Sequence, residues 1–276
     1  MPSRVLTEIW IYPIKSLAGI RLPKASVLGK GLHYDRRWML VDNQGRFLTQ
    51  REHPDMALFA VSMNADTFTI KSRHKNSSGS SIEVPFKSKI HSGIWMDVHI
   101  WDDVVKAEEV DSKFSNWFSD CLGLSCKLVF FPESNTRPVD TRYAKHDEQV
   151  SLADAFPFLI IGESSLDDLN KRLGQSVGMK RFRPNFVFSG GVAFEEDAWN
   201  DFRIGAISFH GAKPCARCVL TTIDPETGIK GAEPLKTLAS YRRVDAKVMF
   251  GQNVLAMEEG TVAEGDPIEI IDLKLN

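Results

Sequence analysis

The apolar residues of this chain come in short pieces, of which Phe158-Leu159-Ile160-Ile161 is typical, and turn residues separate them. A helix that crosses a bilayer needs roughly 20 consecutive apolar residues, and no piece here approaches that. Short runs bounded by turn chemistry read instead as strands. Val5, Ile9 and Ile11 fall on one side of a period-two pattern that stops at Pro13. Trp38–Val41 and residues 46–49 flank Asp42-Asn43-Gln44-Gly45, a hairpin signal with turn chemistry at its tip. A second hairpin is expected over 57–71, turning at Asn64-Ala65-Asp66. The Ser-, Lys- and Gly-rich stretch 72–81 reads as an exposed, mobile loop, and 91–105 as another strand region.

Helical periodicity is confined to a few places. Phe114, Trp117, Phe118, Cys121 and Leu122 form one apolar stripe, with Asp111 or Ser112 as N-cap and Gly123 as the stop. Short helices are expected over 165–173, closed by Gly174, and over 234–242. The polar stretch 132–149 reads as a long loop between two halves. Further strands are expected at 158–161, 185–189, 202–204, 207–210, 219–223, 248–253 and 267–273. The fold class is therefore α+β and β-rich, with many short, mainly antiparallel strands closing into barrel-like units.

Charge narrows the partners. Lys and Arg number 34 against 36 Asp and Glu, a net −2, so there is no general pull toward nucleic acid or an anionic membrane. The first eight residues lack the apolar core of a signal peptide, and the reading is a soluble, cytoplasmic monomer. At 276 residues the chain makes one large domain or two small ones. Its four cysteines are too few for a disulfide scaffold, so each needs an explanation in packing, metal binding or catalysis. Cys121, on the apolar stripe, reads as a small core residue.

Cys215-Ala216-Arg217-Cys218 is the sharpest local feature. Such a pair serves as half of a zinc site, as a redox dithiol, or as a loop presenting one reactive thiolate. Zinc needs two more ligands, and only Cys121, Cys126 or a histidine such as His210 could supply them. A thioredoxin-like dithiol should open a helix, yet Pro214 precedes the pair and β-prone Val219-Leu220-Thr221-Thr222 follows it. Arg217 and Lys213 favour the thiolate form; the plainer reading makes them solvated surface charges. Cationic donors also gather at Lys15-Ser16, at Arg36-Arg37, at Arg137 with Arg142, and at Lys180-Arg181-Phe182-Arg183-Pro184-Asn185. Singly, each is more often a solvated charge; together they would make a pocket for phosphate or another polyanion. Asp154 interrupts an apolar stretch, either as a turn cap or as a buried functional acid.

These blocks, in this order and at these separations, resemble the MOSC family of molybdenum-cofactor proteins, in the branch with an N-terminal β-barrel domain. The resemblance rests on Ile11-Tyr12-Pro13-Ile14-Lys15-Ser16, on Asp35-Arg36-Arg37-Trp38-Met39-Leu40-Val41, and on Pro157-Phe158-Leu159-Ile160. Phe182-Arg183-Pro184-Asn185 and the segment from Cys215 to Pro225 complete it. It is similar to the amidoxime-reducing proteins and to bacterial proteins that detoxify N-hydroxylated bases. The resemblance implies an N-terminal β-barrel domain over 1–125 packed on a MOSC β-barrel domain over 126–276. It implies molybdenum cofactor, with Cys218 as the metal's protein ligand and a catalytic residue, and Asp154 as a catalytic acid near the metal. Lys15, Ser16, Arg36, Arg183, Asn185 and Arg217 fall on positions that hold the pterin and its phosphate. Pyridoxal phosphate binding is also implied at family level.

The chain departs from that pattern in having Ala216 where mitochondrial relatives carry a small hydroxyl residue. It also shows no cluster-type cysteine spacing, so electrons are expected from a separate flavoprotein reductase or ferredoxin-like protein. The implied activity is reduction of N-hydroxylated compounds such as amidoximes, hydroxylamines or N-hydroxylated bases. The rival is a module that carries molybdenum cofactor or sulfur without turnover of its own, and the plainest third option is a structural zinc site at Cys215 and Cys218.

Overall fold

A computed structural model of the protein describes residues 3–86 and 92–274. Seven strands close into a barrel: β1 (Arg4–Ile11), β2 (Phe158–Gly162), β3 (Phe186–Ser189), β4 (Trp199–Ile204), β5 (Ile207–Arg217), β6 (Lys247–Ala256) and β7 (Pro267–Leu273). The order around the barrel is β2-β3-β1-β7-β4-β5-β6, and β6 pairs back to β2 to close it. Only β2 and β3 run parallel; the other pairs are antiparallel. Inward residues alternate along each strand and meet as an aromatic stack: the Phe158 ring lies 5.6 Å from Phe186 and 5.7 Å from Phe209. Leu6, Ile9, Ile11, Phe202 and Val254 fill the space around it. Closure removes the free strand edges that an open sheet would expose.

Residues 38–130 build a second, β-rich part. One sheet runs Trp38–Val41, Lys127–Phe130, Asp103–Glu109, Trp95–Ile100, and a separate three-stranded sheet joins Phe59–Met63, Thr67–Ser72 and Ser81–Pro85. Helix α1 (Ser112–Leu122) packs Phe114 and Phe118 into the core they share with Trp38, Phe59 and Phe68. The Asp111 side chain accepts from Lys113 N as N-cap, and Gly123 takes the left-handed conformation that ends the helix. The short helices α2 (Glu163–Arg172) and α3 (Leu235–Tyr241) also fall where periodicity put them. The stretch after β1 ties the two parts together, through a parallel bridge from Ile14 to Trp38 and a hydrogen bond from Ala18 N to the Phe59 carbonyl, while Lys24–Leu28 pairs with Gly260–Ala263.

Four expectations need correction or qualification. In β1 it is Leu6, with Ile9 and Ile11, that is buried rather than Val5, because the register shifts between Leu6 and Glu8. Such a bulge moves the following side chains to the other face. Residues 46–49 do not form a strand beside Trp38–Val41. The turn is made as expected, with Asp42 Oδ1 accepting from Gln44 N and Arg46 N, but only a single bridge, Val41 to Phe47, links its arms. Residues 219–222 form a 3₁₀ turn, not a strand. The Thr221 and Thr222 hydroxyls donate to the carbonyls of Cys218 and Val219, the local bonding by which threonine competes with a ladder. The stretch 72–81 buries Ser72 and His74. Of the strand region 91–105, His91 lies outside the described residues.

Glu196 is fully buried at the back of β2, where its carboxylate accepts from Ser165 Oγ at 2.9 Å and Gly162 N at 3.2 Å. Burial pushes its carboxyl up to about 7. The native state therefore holds a proton that the unfolded chain has released, and stability falls as pH rises from about 4.5 to about 7. Glu196→Gln is expected to flatten that slope and to exceed the native chain at pH 8 by about 1–3 kcal/mol in denaturant titrations.

Candidate active site

A cleft of about 400 Å³ opens where the loop leaving β1, the approaches to β2 and β3, and the end of β5 converge. All eight residues expected at a site line it: Lys15, Ser16, Arg36, Asp154, Arg183, Asn185, Arg217 and Cys218. They come from five separate stretches of chain, so the fold alone brings them together. Ser16, Arg36 and Arg183 take left-handed φ values of 69°, 50° and 54°. For residues with a Cβ this costs about 1–2 kcal/mol each, a kind of strain that clusters at functional sites.

Cys218 directly follows β5 and opens the 3₁₀ turn, and its thiol accepts from Arg51 Nε at 3.2 Å. Arg51 also donates through Nη2 to Asp154 Oδ2 at 2.6 Å and through Nη1 to Thr49 Oγ1 at 3.1 Å. Lys15 Nζ completes the cluster, 2.5 Å from Asp154 Oδ1 and 2.9 Å from the Leu152 carbonyl. One guanidinium thus bridges the thiol and the carboxylate. Burial draws the Lys15 ammonium down to about 8, against the pull of Asp154. For Asp154, whose side chain is 47% exposed, burial acts upward, but the Lys15 and Arg51 charges outweigh it and hold the carboxyl far below its usual range.

The other cations form a second cluster around Tyr12. The Arg36 and Arg183 guanidiniums lie over its ring at 4.4 and 4.1 Å, and its hydroxyl donates to the Pro184 carbonyl. Arg36 is neutralised by Asp35 at 2.6 Å. Arg183 donates to the Leu17 carbonyl, and burial lowers it to about 10. Arg217 donates to the Phe182 carbonyl and to Cys215 Sγ at 3.1 Å, and its buried Nε has no hydrogen-bond partner among the described residues. Neither Arg183 nor Arg217 has a carboxylate within salt-bridge distance among those residues. Five cationic side chains and one carboxylate line the cleft, and buried positive charge of this kind calls for an anionic occupant.

Asn185 is committed to the protein. Its Oδ1 accepts from Leu159 N and Arg36 Nη1, and its Nδ2 donates to the Trp10 carbonyl, so it sets the position of Arg36. Arg137 is a buried clamp on the carbonyls of Ser151, Ala153 and Asp154, whereas Arg142 lies outside the cleft, paired with Asp140. His210 bonds Asp201 at 2.7 Å, away from the cysteine pair. Among the described residues no group of three or more His, Cys, Asp or Glu side chains is placed to hold a metal. The soft donors at the cleft are Cys218, held by Arg51, and Cys215, held by Arg217, set among cations, which suits a metal that brings most of its ligands with it. Arg51 is a site residue beyond those expected from sequence, although Thr49-Gln50-Arg51 has the same character as the expected cationic blocks, a cation beside an expected strand end.

A closed barrel, a β-rich N-terminal part and a cysteine pair at a cationic cleft define a class. Residues 3–125 match the family model described as MOSC N-terminal beta barrel domain and residues 147–269 the MOSC domain, and the chain belongs to this family. The mitochondrial amidoxime-reducing component 1 of Mus musculus is 34% identical over 284 residues, 96% of this chain and 82% of that protein. The Homo sapiens protein of the same name is 31% identical with the same coverage. The molybdenum cofactor sulfurase of Arabidopsis thaliana is 31% identical over 91% of this chain but only 33% of its own length. The amidoxime-reducing relatives are mitochondrial by name. No helix among the described residues is long and apolar enough to cross a membrane.

Proposed function

We propose that the protein is a molybdenum-cofactor-dependent reductase of N-hydroxylated compounds, supplied with electrons by a separate protein. The observation that carries this reading is the presence in one cavity of the Cys218 thiol, held by Arg51, with Arg183 and Arg217, which have no carboxylate partner among the described residues. The bound cofactor would supply two-electron redox chemistry at the metal. The Cys218 thiolate would ligate the metal, and Lys15, Ser16, Arg36, Arg183 and Arg217 would hold the pterin and its anionic tail, with Asn185 fixing Arg36. In the net reaction the N–O bond breaks, two electrons enter from the partner, two protons are taken up and water leaves.

Asp154 stays ionised between Lys15 and Arg51. It therefore serves as a fixed acceptor that orients the substrate N–OH, while Lys15 Nζ, lowered to about 8, holds the exchangeable proton beside it. Asp154→Asn is expected to keep molybdenum at the level of the native chain and to lower kcat/KM about 10- to 100-fold, the cost of misplaced substrate.

The test is turnover. Molybdenum-loaded protein with a reduced flavoprotein or ferredoxin-like donor is expected to convert benzamidoxime to benzamidine. Failure with every such donor, at about one molybdenum per chain, would overturn the reductase reading. The likeness to a molybdenum cofactor sulfurase favours a second reading, a cofactor or sulfur carrier. A stable persulfide on Cys218 in inactive protein would select it.

A further inference from the structure

Trp101 sits at the tip of the two-residue hairpin turn between Trp95–Ile100 and Asp103–Glu109, with φ 56°. Turns of this kind favour Gly, Asn or Asp at a left-handed position, and a large aromatic there is an outlier that the turn itself does not need. The indole packs against the Phe47 ring at 5.2 Å and over the Arg51 guanidinium at 4.8 Å, yet the residue remains 53% exposed. It lines the same cleft as Cys218. Arg51 links them: its guanidinium carries the indole and its Nε reaches the thiol. Ala153, Ala155 and Phe156, which flank Asp154, add apolar surface to this cleft.

We infer that Trp101 is a specificity-determining residue: its exposed indole face stacks on a flat aromatic or conjugated group attached to the carbon that bears the N–OH nitrogen. The strained turn holds the ring at the cleft, and Arg51 and Phe47 fix its plane, so little side-chain freedom is lost when a planar group stacks on it. Substrates carrying an aryl group beside the N-hydroxylated centre gain this contact, and small alkyl analogues do not. The inference rests on the proposed reductase reading for its substrate class, but its test does not need turnover.

Benzamidoxime and acetamidoxime are each titrated into full-length, molybdenum-loaded protein without an electron donor, so that neither can be reduced, and binding is read by calorimetry. The native chain is expected to bind benzamidoxime about 10-fold more tightly than acetamidoxime, the worth of one good aromatic contact. Trp101→Ala is expected to erase most of that ratio, and Trp101→Phe to restore most of it. Equal affinities in the native chain, or a ratio untouched in Trp101→Ala, would overturn the inference. So would equal weakening of both ligands, because that would make Trp101 a mere cover for Arg51. Addition of the donor then reads the other claim separately: binding discrimination without turnover would sink the reductase reading and leave Trp101 as an aryl-binding residue.

Discussion

Cys218→Ala is expected to abolish turnover and to bring bound molybdenum below about a tenth of the native level, a loss of about 1.4 kcal/mol or more of retention. The Sγ atom is where β5 delivers a soft ligand to the cleft, and the thiol of the neighbouring Cys215 is engaged by Arg217 instead. Cys218 is only partly buried and belongs to no core cluster, so its alanine variant should fold with a thermal midpoint close to that of the native chain. The loss would then be chemical and not structural. Cys215→Ala removes an acceptor for Arg217 and a thiol packed against the cluster of Leu159 and Phe250, and is expected to keep most of its molybdenum and activity, read by metal analysis and by benzamidoxime turnover. If Cys215→Ala proved the fatal change and Cys218→Ala the mild one, the assignment of the ligand would be wrong.

The second large effect is on stability. Gly211 lies in β5 between the barrel core and the cysteine pair, where the ladder to β6 shifts register. A Cβ at that position would stand 2.1 Å from the Trp199 carbonyl oxygen and 2.7 Å from Gln252 Nε2. The first neighbour is backbone, and the Trp199 side chain is itself 1% exposed and packed on Phe188 at 4.7 Å, so neither can step aside. Gly211→Ala is expected to destabilise the fold by about 3 kcal/mol, the upper range for overpacking a closed core, and to lower the thermal midpoint by roughly 6–12 °C. Gly174→Ala, where an added Cβ meets nothing within 4 Å, is the control and should stay within about 0.5 kcal/mol. A Gly211→Ala variant as stable as that control would show that β4 and β5 can separate at this point.

The parts of the fold legible in the sequence were those fixed by short-range chemistry. Asp111 and Gly123 bound α1 because capping acts within a few residues, and Asn64-Ala65-Asp66 turns its hairpin for the same reason. Strand partners were not legible, because pairing is decided far along the chain. Trp38–Val41 finds Lys127–Phe130 in preference to the residues across its own turn, and β1 joins strands some 180 and 260 residues later. Residues 219–222 misled because threonine has high strand propensity and yet bonds its own backbone when a ladder partner is lacking.

At the site, the family resemblance located residues whose individual signals were weak. Lys15, Arg36, Arg183 and Arg217 are ordinary cations in sequence and become a cluster only through the fold. Arg51 was legible only as one more cation beside an expected strand end, and Trp101 not at all. The first owes its place to a turn that does not continue as a strand, and the second to a left-handed position that sequence pattern would have given to a smaller residue.

The most direct measurement is the metal content of the purified native chain from cells supplied with molybdate, with molybdenum and zinc quantified together. Molybdenum near one atom per chain, with no stoichiometric zinc, is the expected result. Zinc near one per chain with no molybdenum would contradict it, and the MOSC relationship would then describe the fold alone.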